Sequence, residues 1–133
     1  MANLSQEARN ALDALNRQIE ASTKKLARMP ASRRTDCFVE FTKEMTPVTS
    51  GHRAELRLSS DDSETPQICV CSYGERGRFI ESVPISDFRV TERVAIAKLI
   101  PDLLRAAKFS EGKILEDALQ AANDIEQTLN DIE

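Results

Sequence analysis

From Leu115 to Ile132 the chain places an apolar residue at every third or fourth position: Leu115, Ala118, Ala122, Ile125, Leu129 and Ile132. At about 3.6 residues per turn these six share one helix face, and the alternation of three and four is the seam of a coiled coil. An aliphatic stripe of this length cannot be left in water, so any fold for the chain must put something against it. Three occupants are open: another helix of the same chain, a second copy of the chain, or a different protein.

A second stripe lies at the N-terminus, where Leu4, Ala8, Ala11, Leu12, Leu15, Ile19 and Leu26 recur at helical spacing behind a capping box of Asn3 and Gln6. The helix is expected to reach about Met29, ending at Pro30 and the following "ASRRT". Lys24, Lys25 and Arg28 fall where cations suit a helix C-terminus, which explains them more simply than a phosphate site does. A helix of about 23 residues is roughly 34 Å long and a six-residue strand only about 20 Å, so one terminal helix must overhang any sheet between them.

Between these helices the hydrophobic period changes from 3.6 to two. "CFVEFTK" alternates, "RAELRLSS" puts Ala54, Leu56 and Leu58 on one face, and "QICVCSY" is nearly continuous apolar, as in a central strand. Turn chemistry separates the runs at Thr46 to Gly51 and Ser59 to Pro66, and Gly74 to Gly77 can close a hairpin onto "RFIESVPI". Thr91 is a candidate N-cap for "ERVAIAKLI", Pro101 demands a kink or a new helix, and Ser110 is a candidate cap for the last one. The expected class is α+β: a long N-terminal helix, a four-stranded, mostly antiparallel sheet, a kinked helix and a long C-terminal coiled-coil-like helix. At 133 residues this is expected as one domain, with segments 1–35, 36–90 and 91–133.

The inventory for catalysis is thin. His52, the only histidine, sits in a turn with no nucleophile at a catalytic spacing, and Asp61, Asp62 and Glu64 lie in a polar loop. Four glycines allow no Gly-rich phosphate loop, and Cys37, Cys69 and Cys71 with one histidine make neither a disulfide framework nor a zinc site. The expectation is a non-enzymatic protein without metal or cofactor. No run suits a membrane span and "MANLSQEARN" lacks the order of a signal peptide, so a cytosolic protein with no membrane role is expected.

Charge divides unevenly along the chain. Residues 1–35 carry seven Lys/Arg against three Asp/Glu, residues 36–90 six against ten, and residues 91–133 five against nine. The total of −4 argues against general binding to nucleic-acid backbones, although a local basic face remains open. "CSYGERGRF" is the place to look. With Ile68, Val70 and Ser72 facing the core, Cys69, Cys71 and Tyr73 share the other face with Arg53, Arg57 and, by register, Arg78. Arginines beside an aromatic ring on a sheet suit single-stranded nucleic acid, whose phosphates meet guanidinium groups while a base stacks on the ring. The competing account pairs these arginines with Glu55, Glu75 and Glu81. The tetrad "GERG" is also similar to the Gly-x-x-Gly clamp of the KH module, but that clamp joins helices and this one joins strands.

Four strands followed by a helix, with "ERGRFI" opening a strand after a tight turn, resemble the Pur-type repeat and the related whirly and positive-cofactor-four single-strand binders. The resemblance covers about residues 36–107. It implies binding on the exposed sheet face through Arg57, Tyr73, Arg76, Arg78 and Phe79. Such domains are more basic and richer in sheet aromatics than this chain, which carries Glu55 and Glu75 beside the same positions, and the long terminal helices lie outside the likeness.

Two readings of function follow. In one, the protein binds single-stranded DNA or RNA through Arg53, Arg57, Tyr73, Arg76, Arg78 and Phe79, as a homodimer held by helices. In the other, it is a protein-binding regulator, inhibitor or chaperone-like dimer whose acidic C-terminal helix docks a partner through Leu115, Ala118, Ala122, Ile125, Leu129 and Ile132.

Overall fold

The computed structural model describes residues 5–33, 37–42, 53–59 and 66–132. Asn3, Leu4, His52, Asp61, Asp62, Glu64 and the turn chemistry expected at 46–51 lie outside them. Helix α1 spans Gln6–Ala27, and its cap is Ser5, whose Oγ accepts from the Ala8 N–H at 3.1 Å, so the start lies beyond the expected Asn3 box. At the other end Ser32 is buried and its hydroxyl donates to the carbonyls of Leu26 and Met29, which satisfies acceptors the ended helix leaves over.

Strands β1 (Val39–Glu40), β2 (Arg53–Leu58), β3 (Ile68–Tyr73) and β4 (Phe79–Pro84) form one antiparallel sheet in the order β1-β2-β3-β4. β1 is shorter than the alternation of "CFVEFTK" suggests, although the alternation itself persists: Cys37 and Phe41 are buried in the core and Val39 packs against it. The β3–β4 connection is the single tight turn Glu75–Gly77. Arg76 and Gly77 both have positive φ, at 60° and 74°, and the Arg78 N–H donates to the Glu75 carbonyl at 3.2 Å, the pattern of a type I′ hairpin turn. Only Gly77 suits that backbone without strain, since an L side chain in the left-handed region crowds its own carbonyl.

Helix α2 (Val90–Ala97) starts one residue before Thr91, with Arg89 at the cap position and no side-chain cap bond. Helix α3 (Ile100–Asp131) then starts afresh with Pro101 in its first turn, where a missing N–H costs nothing. The expected restart at Ser110 does not occur, and α3 runs through Ser110 and Gly112 without interruption. Extending an existing helix adds one bond per residue, whereas a new cap would require another costly nucleus, so one glycine does not stop it.

The core joins all these elements on one side of the sheet. Ala54, Leu56, Leu58, Ile68 and Val70 pack with Leu26 of α1, Ile85, Ile96 and Ala97 of the α2 region, and Ile100, Leu103 and Ala107 of α3, with Leu15, Ile19 and Leu104 at its margin. The later part of the α1 stripe, Leu15, Ile19 and Leu26, thus finds its partner within the chain, while Ala8 and Leu12 are half-buried and Ala11 is exposed. α3 is about 48 Å long at 1.5 Å per residue, and its last buried residue is Ala107.

Candidate functional site

The second face of the sheet is ordered in rows. Glu40, Glu55, Cys71 and Ser82 form one row across the four strands, Arg57, Cys69 and Pro84 another, and Arg53, Tyr73 and Phe79 a third. Arg53, Arg57 and Tyr73 are therefore neighbours on the face away from the core. The residue paired with Tyr73 is Phe79, however, not Arg78. Because three residues, Glu75 to Gly77, make the connection, Gly74 pairs with Arg78 through its N–H at 2.7 Å and Tyr73 with Phe79, and the register then shifts by one residue between Phe79 and Glu81. Ile80 is the extra residue of a β-bulge, a device that also roughens the exposed edge of the sheet.

Glu55 organises this face. Its side chain is 4% exposed, one carboxylate oxygen lies 3.2 Å from Arg53 Nη2, and the other lies 3.5 Å from Arg57 Nη1. Arg57 Nη1 also donates to the Tyr73 hydroxyl at 3.4 Å, and the Arg53 guanidinium sits 5.0 Å from the Tyr73 ring centroid. The edge of the same ring pair is taken by Phe79, with centroids 6.0 Å apart at 69°. A carboxylate, two guanidiniums and a phenol are thereby matched to one another, in a cation–π and ion-pair cluster that half-buries Tyr73. Cys69 and Cys71 are buried beside it; Cys71 Sγ donates to Ser82 Oγ at 3.6 Å, and burial pushes its thiol above the ordinary value, against the lowering by Ser82 and the Arg57 charge.

Arg76 and Arg78 stand apart from that cluster at the hairpin tip, and Phe79 joins the two, packing against Tyr73 while it lines, with both arginines, a shallow exposed depression shared with Gly74, Glu75 and Ile80. The sequence therefore placed six residues in one site that the fold divides into a matched cluster and an open tip. Glu55 is the residue whose role the pattern underrated. Its signal was an acid between two arginines at every second position of β2, which puts all three on one face.

The second candidate surface is α3 beyond Ala107. Leu115, Ile125, Leu129 and Ile132 are 62%, 60%, 63% and 74% exposed, and Ala118 and Ala122 between them are exposed too. Leu119, one turn after Leu115, also faces solvent and extends the apolar surface beyond the six residues of the stripe, whereas the exposed Phe109 lies on the opposite side of the helix. α1 contacts α3 but leaves this stripe uncovered. A groove of about 660 Å³ lies elsewhere, between α1 and the sheet end, lined by Ile19, Thr23, Ile68, Pro84 and Ile85. Arg93 lines it too and ties three segments together, donating to Asn16 Oδ1, the Ser86 carbonyl and the Phe88 carbonyl.

Among the described residues no group of three or more His, Cys, Asp or Glu side chains is placed to hold a metal ion, and no helix is long and apolar enough to cross a membrane. No known protein family, curated protein or solved structure matches the chain.

Proposed function

We propose that this is a non-enzymatic binding protein that works by helix recognition, docking an amphipathic helix on the exposed stripe of α3. The observation that carries this reading is the seam itself: six coiled-coil positions in unbroken alternation, on a helix that continues for about 36 Å past the last core residue with its aliphatic side chains in solvent. A solvated helix needs no such seam, and a stripe of this kind gains its stabilisation only when another helix covers it. The acidic character of the segment, with six carboxylates and no cation from residue 114 to 133, selects among partners by charge.

The direct test is a synthetic helical peptide with Leu and Ala at alternating seam positions and Lys at the flanks, titrated by fluorescence anisotropy against the full chain. Binding at micromolar peptide is expected, weakened at least roughly tenfold by Ile125→Glu with Leu129→Glu, since both sit in the middle of the proposed contact. Absence of binding at the solubility limit of the peptide would overturn the reading.

One observation favours a second reading, single-strand nucleic-acid binding at the hairpin tip. Arg76 holds a left-handed conformation that Gly or Asn would hold with less strain, and it presents its guanidinium to solvent beside Arg78 and Phe79. Labelled oligo-dT and oligo-purine strands test it at low and moderate salt: this reading expects binding that disappears in Arg76→Ala with Arg78→Ala.

A further inference from the structure

The phase of α3 narrows what the stripe can hold. At about 3.6 residues per turn, eighteen residues complete five turns, so Ile100, Leu104 and Ala107 lie on the same side of the helix as Ala118, Ala122 and Ile125. Ile100 and Ala107 are buried in the core and Leu104 packs against it. The folded body of the protein therefore sits on the stripe side of α3, at its root. A second copy lying parallel and in register along the stripe would bring its own body into that same space. A helix arriving from the free end meets no such obstacle.

Resting on the reading that α3 docks helices, we propose that the occupant is the same segment of a second copy, running antiparallel, with Leu115 opposite Ile132, Ala118 opposite Leu129 and Ala122 opposite Ile125. The two-fold axis passes between residues 123 and 124, so the patch is self-complementary, as a symmetric dimer requires. Three features of the chain fit this register. First, both seam alanines face a large aliphatic of the partner, whereas a parallel pair would set Ala118 on Ala118 and Ala122 on Ala122 and leave the middle of the seam thin. Second, the partner's Ile132 ends level with Leu115, and Ile114 is the last half-buried residue of α3, so the overlap stops where the body's cover ends.

Third, the helix dipoles oppose one another in the antiparallel pair, whereas a parallel pair would align them. The charges of Lys113 and Asp131 stay out of the contact: at about 100° per residue both lie on the side of α3 away from the seam, where Lys113 reaches Asp117 of its own helix at 3.5 Å. The seam residues with Leu119 beside them would bury on the order of 1,000 Å² in all, the lower bound for a specific interface and consistent with a dimer in the micromolar range.

Sedimentation equilibrium of the full chain is expected to give twice the chain mass at tens of micromolar, with the dissociation constant raised at least tenfold by Ile125→Glu, whose exposed position leaves the fold intact by circular dichroism. A monomer at every concentration would overturn the second copy as occupant; the peptide titration would then decide separately whether α3 docks helices at all. Orientation is read by oxidising a mixture of Ala118→Cys and Leu129→Cys chains and locating the disulfides by peptide mass. Cross-links between the two variants, with neither cross-linking to itself at the new cysteine, are expected. Self-linking of Ala118→Cys through position 118 would overturn the antiparallel register, because that register holds the two positions about 16 Å apart.

Discussion

The second sheet face and the far half of α3 invert the usual arrangement in opposite senses. The sheet face buries charges, and the helix exposes aliphatics. Glu55 and Arg57 are 3% and 9% exposed, while Leu129 and Ile132 are 63% and 74% exposed. What separates the two regions is whether the groups find their complements inside the chain. On the sheet, Glu55, Arg53, Arg57 and Tyr73 are matched within one layer of side chains. On α3, the seam residues are covered by none of the described residues. Surplus of this second kind points to function more strongly than charge does, because a matched cluster has little left to offer a ligand.

Breaking the matched region should have the largest effect. Glu55→Ala leaves Arg57 in a buried site without its carboxylate, and removal of one partner of a buried pair costs about 3 kcal/mol, more than the pair contributes in net terms. Urea unfolding is expected to show that loss, whereas Leu129→Ala on the open stripe should move monomer unfolding by less than about 0.5 kcal/mol. Equal losses in the two variants would mean that the seam is already covered within the chain.

How much of this was legible in the sequence depends on whether the deciding interaction was periodic or specific. Period two in "RAELRLSS" and "QICVCSY" correctly assigns Leu56 and Val70 to the core and Arg57 and Cys69 to the other face, because alternation fixes the side once one residue is placed. The α+β class and the break before Pro101 follow from the same kind of evidence. The position opposite Tyr73 does not. It depends on a three-residue connection and a bulge at Ile80, and periodicity alone contains neither, so Arg78 was expected where Phe79 stands. Ser110 misled for a related reason: a capping residue is a signal only where the helix would otherwise have to begin, and α3 was already under way. Whether the arginines of the sheet were free or matched required the distances to Glu55.

The exposed helix can be sharpened without touching its seam. Gly112 has open space where a Cβ would sit and an ordinary helical backbone, so Gly112→Ala is expected to stabilise α3 locally by about 0.5–1 kcal/mol through the unfolded chain's lost freedom. Hydrogen exchange at residues 108–118 should slow accordingly, and the sheet amides should be unaffected. Slowing in the sheet as well would mean that the overhang and the body open together, which would erase the contrast between them.

The smallest effect belongs to Cys71. Burial raises its thiol pKa above the ordinary value of 9.0, opposed by the Ser82 hydrogen bond and the Arg57 charge and reinforced by Glu55. A folded-state pKa above the unfolded one means that the folded protein holds the proton more tightly. The resulting stabilisation is fully present below the unfolded value and is lost as pH rises through the folded one. Between pH 8 and pH 10 the urea midpoint of the wild type is therefore expected to fall further than that of Cys71→Ala, and alkylation of Cys71 in the folded protein at pH 8 should be slower than that of a free thiol. Fast alkylation at pH 8, or the same pH slope in both proteins, would show that solvent reaches the row of Glu55 and Ser82. The second face would then be an accessible surface, and the claim that its charges are consumed internally would fail along with the preference for α3.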